Sequence, residues 1–133
     1  MTFMPDTNTC IRYFTNRNAG VVQRMSATDP SEIVVCDIVK AELYFGAEKS
    51  QRRQANLELY EEFFFQFRSL PFDAAAARVY GRIRLALELA GTPVGPMDML
   101  IAAIAIANNV ILVTHNTREF SRIPGLQIED WES

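Results

Sequence analysis

Apolar positions along this chain fall into two alternating patterns, short β-branched runs and longer stretches with helical spacing. Thr2-Phe3-Met4 reads as a short first strand, weakened by Pro5, and Glu32-Ile33-Val34-Val35-Cys36 as a buried second one. Val110-Ile111-Leu112-Val113-Thr114 is a continuous β-branched strand, and Leu126-Gln127-Ile128 suits a last one. Between them the spacing predicts short helices over 8–16 and 19–27, then helices over 38–50, 52–68 and 73–90. Lys49 lies where a helix end favours a cation, and Gly91 stops the third long helix. Gly91-Thr92-Pro93-Val94-Gly95-Pro96 is a turn, with Pro96 suited to open a helix over 97–108. That helix is apolar nearly all round, which marks a buried element. Strands separated by helices argue an α/β fold, a three-layer α/β/α arrangement around a central parallel sheet. No repeat, linker or low-complexity tract divides the chain, so one domain over 1–133 is expected.

Four carboxylates break this pattern: Asp6, Glu42, Asp98 and Glu119. On a helix, Glu42 shares its face with Ile38, Val39, Phe45 and Gly46, and Asp98 shares its face with Ile101 and Ala102. Both are therefore expected to point toward the core. An unpartnered carboxylate taken out of water costs several kcal/mol, roughly, so it neutralises, pairs or binds a cation. No Lys or Arg adjoins either acid, which favours the cation. In open α/β sheets chemistry gathers at the carboxyl ends of strands. Asp6 follows the first strand, Asn116 and Glu119 follow the Val110 strand, Asp98 opens a helix, and Glu42 lies within two turns of the strand ending near Cys36. All can converge on one edge.

Each acid has a plainer account. Asp6 suits a helix N-cap, and Asp98 suits the positive end of a helix dipole. Arg118 and Arg122 flank Glu119, so a surface ion pair explains it equally well. Glu42 has the weakest such account, because mid-helix it serves neither purpose. Oxygen-only donors suit Mg²⁺ or Mn²⁺. One histidine, His115, and two separated cysteines, Cys10 and Cys36, cannot build an ordinary zinc shell. His115 itself reads as surface decoration, and the cysteines as buried reduced thiols.

A formal charge of -3 provides no global field toward nucleic acid, although a divalent cation would supply positive charge locally. Met1 to Pro5 is too short for a signal peptide, so none is expected, and the longest apolar run falls far short of the ~20 residues that a membrane span needs. A soluble, cytoplasmic protein without membrane association is expected.

At this point the residues carry a resemblance. Met-Pro-Asp6-Thr-Asn8-Thr-Cys-Ile, Ala-Glu42-Leu-Tyr-Phe-Gly-Ala-Glu-Lys-Ser, Gly-Thr-Pro-Val-Gly-Pro-Met-Asp98-Met-Leu-Ile-Ala and Val-Thr114-His-Asn116-Thr-Arg-Glu119-Phe resemble the PIN-domain ribonucleases. More narrowly, the chain resembles VapC toxins of bacterial toxin–antitoxin pairs, over essentially its whole length. The resemblance implies a PIN-like fold and a metal-dependent endoribonuclease that leaves 5′-phosphate and 3′-hydroxyl ends. Structured RNA, transfer RNA especially, is the implied target. It also implies a homodimer, a VapB-type antitoxin, and operator DNA bound only through that antitoxin. By position, Asp6, Glu42 and Asp98 match the core metal-holding acids. Asn116 matches a fourth-acid position with Glu119 three residues on, and Thr7, Asn8 and Thr114 match the polar positions that hold the site together.

Two departures stand out. Pro5 removes a ladder donor where relatives carry an aliphatic residue, and it threatens to shift Asp6. Asp37 adds negative charge where a small hydroxyl residue is commoner.

Lys49, Arg52 and Arg53 cluster near the end of the Glu42 helix, and Arg12 and Arg17 follow the first motif. These are candidate phosphate contacts. Phe63, Phe64, Phe65 and Phe67 are too many for one amphipathic face: at least two are expected in the core and the rest at a dimer or antitoxin interface. Two rivals remain. A receiver or dehalogenase-like phosphatase needs a lysine near the last strand, and Lys40 and Lys49 are the only lysines. The second is a PIN-fold binding protein whose site Pro5 has spoiled, and which acts through antitoxin and operator complexes.

Overall fold

A computed structural model describes residues 1–132. Five short parallel strands build the sheet: β1 Phe3–Pro5, β2 Val34–Cys36, β3 Arg68–Leu70, β4 Ile111–Val113 and β5 Ile128–Glu129. β1 pairs with β4 and β4 with β5, while β2 pairs with β3, and a single Phe3–Ile33 bridge joins the two ladders. The spatial order is thus β3-β2-β1-β4-β5. Each strand is buried on both faces except β3 and β5, as expected where helices cover a parallel sheet.

Among the described residues seven α-helices flank it: α1 Thr7–Phe14, α2 Ala19–Ala27, α3 Asp37–Glu48, α4 Arg53–Phe65, α5 Ala74–Ala90, α6 Pro96–Ala107 and α7 Thr117–Phe120. Their ends follow local chemistry. Asn18 and Asp73 accept the N–H of Val21 and Ala76 at 3.0 Å each, capping α2 and α5. Gly91 adopts φ 68°, a left-handed conformation that only glycine takes freely. The Thr92 N–H then donates to Leu87 O and the Gly91 N–H to Glu88 O, closing α5 in a Schellman arrangement. Pro96 opens α6, whose Ile101 to Ala105 segment is buried throughout.

The core includes Met4, Ile33, Leu43, Ile83, Leu112, Phe120 and Trp131, the last packed against Phe3 at 5.4 Å between ring centroids. Cys10 and Cys36 are buried free thiols, as expected. No helix among the described residues is long and apolar enough to cross a membrane.

Three elements differ from the sequence reading, one of them α7, which was not expected. The helix expected over 52–68 ends at Phe65, and Arg68–Leu70 forms β3 instead. Only Leu70 of that strand is buried, so an edge position left almost no hydrophobic signal. Phe63 and Phe64 enter the core, Phe67 packs partly against it, and Phe65 is 93% exposed.

Candidate active site at the carboxyl edge of the sheet

Asp6 leaves β1 directly into α1. Its N–H donates to Val113 O at 2.9 Å, which ties the residue to β4, and its Oδ1 accepts the Thr9 N–H at 2.8 Å. It is therefore a helix N-cap, as the plainer reading held, and also a buried acid at the sheet edge. Thr114, buried immediately after β4, favours the charged form of the same carboxylate. Glu42 on α3 accepts a hydrogen bond from Thr7 Oγ1 at 2.5 Å. Asp98 stands in the first turn of α6. Glu119 on α7 accepts the Gly95 N–H at 2.8 Å through Oε1 and the Asn116 Nδ2–H at 2.9 Å through Oε2. Asn116 in turn donates its backbone N–H to Thr114 Oγ1 at 3.0 Å.

The four acids share one electrostatic field. Burial raises Asp98 to about 7, and the negative charges of Glu119, Glu42 and Asp6 push the same way. Burial also raises Asp6, against the hydrogen bonds from Thr114 and Thr9 that favour its charged form. Glu119 moves the other way, lowered first by the Gly95 N–H and also by Asn116 and Arg122. The proton shared across this pair belongs on Asp98.

None of the four acids forms an ion pair with a described Lys or Arg. Four carboxylates with no ion-pair partner among the described residues, one held partly neutral by its neighbours, are chemically fitted to a hard divalent cation. Among the described residues no three His, Cys, Asp or Glu side chains close into a ready-made cage. Such a donor set suits an ion that keeps part of its water shell, as Mg²⁺ does.

Some expectations need correction. Glu42 and Asp98 are not sealed in the core: both are half-buried, so water reaches them. Glu119 is not part of a surface ion pair, because Arg122 donates to Pro93 O instead. Asn8 is exposed and stands apart from these hydrogen bonds. Asp37 is paired with Lys40 at 3.8 Å, and His115 is held through Nδ1 by Asp130 at 3.0 Å rather than loose. Of the candidate phosphate contacts, Arg12 is engaged by Glu132 at 3.6 Å and Arg53 by Glu48 at 2.8 Å. Lys49, Arg52 and Arg17 have no carboxylate partner among the described residues.

Gly95 and Glu132 were not anticipated. A Cβ on Gly95 would lie 3.7 Å from Glu119 Oε1 and 3.8 Å from Asp98 Oδ2, so its hydrogen keeps the gap between them free of a methyl. The signal was there, a glycine directly before the helix-opening Pro96, but it read only as turn chemistry. Glu132, near the end of the chain, adds to the field that raises Asp6.

This arrangement of sheet, edge and acids is that of a PIN domain. The PIN domain family model matches residues 3–126, and the chain belongs to that family. Within it, the likeness is to the VapC ribonucleases. The chain is 43% identical to the tRNA(fMet)-specific endonuclease VapC of Shigella flexneri, over 97% of each chain. It is 35% identical to Ribonuclease VapC2 of Rickettsia felis, over 99% of each. Among solved structures, the DNA-bound VapBC of Salmonella typhimurium superposes with TM-score 0.92 at 42% identity, covering 98% of both chains. The promoter-DNA-bound VapBC2 of Rickettsia felis follows at 0.90 and 34%, covering 98% of this chain and 99% of that one.

Proposed function

We propose that this protein is a divalent-metal-dependent endoribonuclease, the toxin of a toxin–antitoxin pair. The observation that carries it is the convergence of Asp6, Glu42, Asp98 and Glu119, from four distant segments, on one strand edge with no ion pair to any of them among the described residues. Asp6, Glu42 and Asp98 would hold Mg²⁺ or Mn²⁺, with Glu119 and Asn116 placing outer water. When bound, such an ion acidifies water and offsets charge on phosphate oxygens during in-line attack. The chain's own residues supply position. Thr9 fixes Asp6, Thr7 fixes Glu42, and Gly95 with Asn116 fixes Glu119. The products would be 5′-phosphate and 3′-hydroxyl ends.

The relatives' names support RNA as substrate and transfer RNA as its class, and the likeness to VapBC complexes on DNA supports a VapB-type antitoxin that brings the pair to operator DNA. A homodimer acting in the cytoplasm as a single domain completes the reading. The rival, a binding protein whose site Pro5 has spoiled, is disfavoured because Asp6 keeps its backbone bond to β4.

The test is cleavage of total bacterial RNA by the purified protein in Mn²⁺. Discrete fragments bearing 5′-phosphates are expected, and EDTA or Asp98→Asn should abolish them. Cleavage surviving either control overturns the carboxylate–metal mechanism.

A further inference from the structure

The helix that carries Glu42 also carries an aromatic ring that the core does not use. Phe45, one turn on, is 65% exposed, and Lys49, a turn further, sets its Nζ 4.8 Å from the ring centroid. Gly46 lies next to it, and a Cβ there would meet nothing within 4 Å, so the helix surface at Gly46 is uncovered. Lys49 and neighbouring Arg52 have no carboxylate partner among the described residues, because Glu48 is taken by Arg53. Phe65 is more exposed still, but it sits on α4, which carries none of the four acids, with no cation stacked on it among the described residues. An exposed ring with an uncommitted cation, continuous with a cluster of acids, has the makings of a nucleotide site. Single-stranded nucleic acid is held by base–aromatic stacking combined with cations along its backbone.

We propose that Phe45 and Lys49 form a landing place for one unpaired nucleotide of the substrate RNA, beside the scissile phosphate. The base stacks on the open face of Phe45, and a flanking phosphate pairs with the Lys49 ammonium. Along the helix Lys49 lies about 10.5 Å from Glu42, the length of about three stacked bases at about 3.4 Å each. This rests on the ribonuclease reading above and adds a determinant of which RNA is cut.

The test uses a short RNA spanning a mapped cleavage position, with single abasic nucleotides scanned around the cut. Phe45→Ala should raise KM about tenfold, equivalent to about 1.4 kcal/mol, and leave kcat within about twofold. Phe45→Trp should restore KM. One abasic position should cost the native protein the same factor and cost Phe45→Ala nothing further. An unchanged KM in Phe45→Ala, or losses that simply multiply, overturns the proposal. A second readout does not need cleavage. The chain's one tryptophan, Trp131, is buried, so Phe45→Trp adds an exposed indole whose emission RNA should quench. Absence of quenching likewise overturns it. If Phe45→Ala leaves KM untouched but weakens the antitoxin complex, the ring serves a protein partner and the RNA assignment falls. Failure of these variants in a protein that cleaves RNA, with EDTA and Asp98→Asn still abolishing cleavage, would remove this landing place and leave the nuclease intact.

Discussion

Asp98 is the residue on which the site's charge balance turns. In the metal-free protein its carboxyl is raised to about 7 by burial and by three neighbouring acids, against an ordinary 3.8. A raised carboxyl binds its proton more tightly folded than unfolded, so the contribution to stability is largest below about pH 4 and is lost as pH rises toward 7. Asp6 has the same sign, and Glu119, lowered, the opposite. Between pH 5 and 7, in EDTA, the melting temperature is expected to fall as pH rises, and Asp98→Asn should flatten that slope. Adding Mn²⁺ should reverse it, because an ion that binds only the folded form stabilises by mass action. A melting temperature indifferent to both pH and Asp98→Asn would show that the four acids do not share a field. Asp6, Glu42 and Asp98 were legible in the sequence for a physical reason, since each interrupts an apolar face or follows a strand. Gly95 was not, because its contribution is a backbone N–H and a missing methyl, which no side-chain pattern records.

At the scale of elements, Pro5 decides how the sheet is divided. Ile111 donates to Thr2 O and Asp6 donates to Val113 O, so the even positions of β1 bond to β4. The odd positions address β2, and there the ladder is reduced to the Phe3–Ile33 bridge. The donor that Pro5 lacks therefore belongs to the β2 side, and the bond that seats Asp6 is untouched. Restoring the donor with Pro5→Val would regain a hydrogen bond of about 0.5–1.5 kcal/mol. The unfolded chain meanwhile loses the ring's constraint, worth about 0.4–1 kcal/mol in the opposite direction. The two nearly cancel, so stability should change by less than about 1 kcal/mol and RNA cleavage by less than about twofold. A large gain in cleavage would revive the spoiled-site reading. Long helices, β2 and β4 were legible because periodicity and β-branching report burial. β3 and α7 were not, because a strand with one buried side chain and a single helical turn give periodicity too little to work on.

Over the whole molecule, the distribution of charge limits how RNA can be held. The chain has 13 basic and 16 acidic residues, and several of the basic ones are already committed. Glu129 takes Arg24 and Glu132 takes Arg12, so the last strand and the segment after it neutralise the arginines of one flank. Arg53 and Arg84 are likewise engaged by Glu48 and Glu88. Near the Glu42 helix this leaves Lys49 and Arg52 as uncommitted cations. For single strands, log affinity falls with log salt at a slope of about 0.7 per phosphate neutralised. Two such contacts predict a slope of about 1.4, so KM should rise only about sevenfold between 50 and 200 mM salt. Lys49→Gln should lower the slope by about 0.7, whereas Arg53→Gln should leave it unchanged. A slope near 2.8 would mean that RNA displaces the acidic partners of Arg12 and Arg24 as it binds, and that the flank now tied by the C-terminal acids belongs to the RNA path. Sequence alone could name these basic residues as candidates but could not rank them, because their availability depends on acids as much as 120 positions away in the chain.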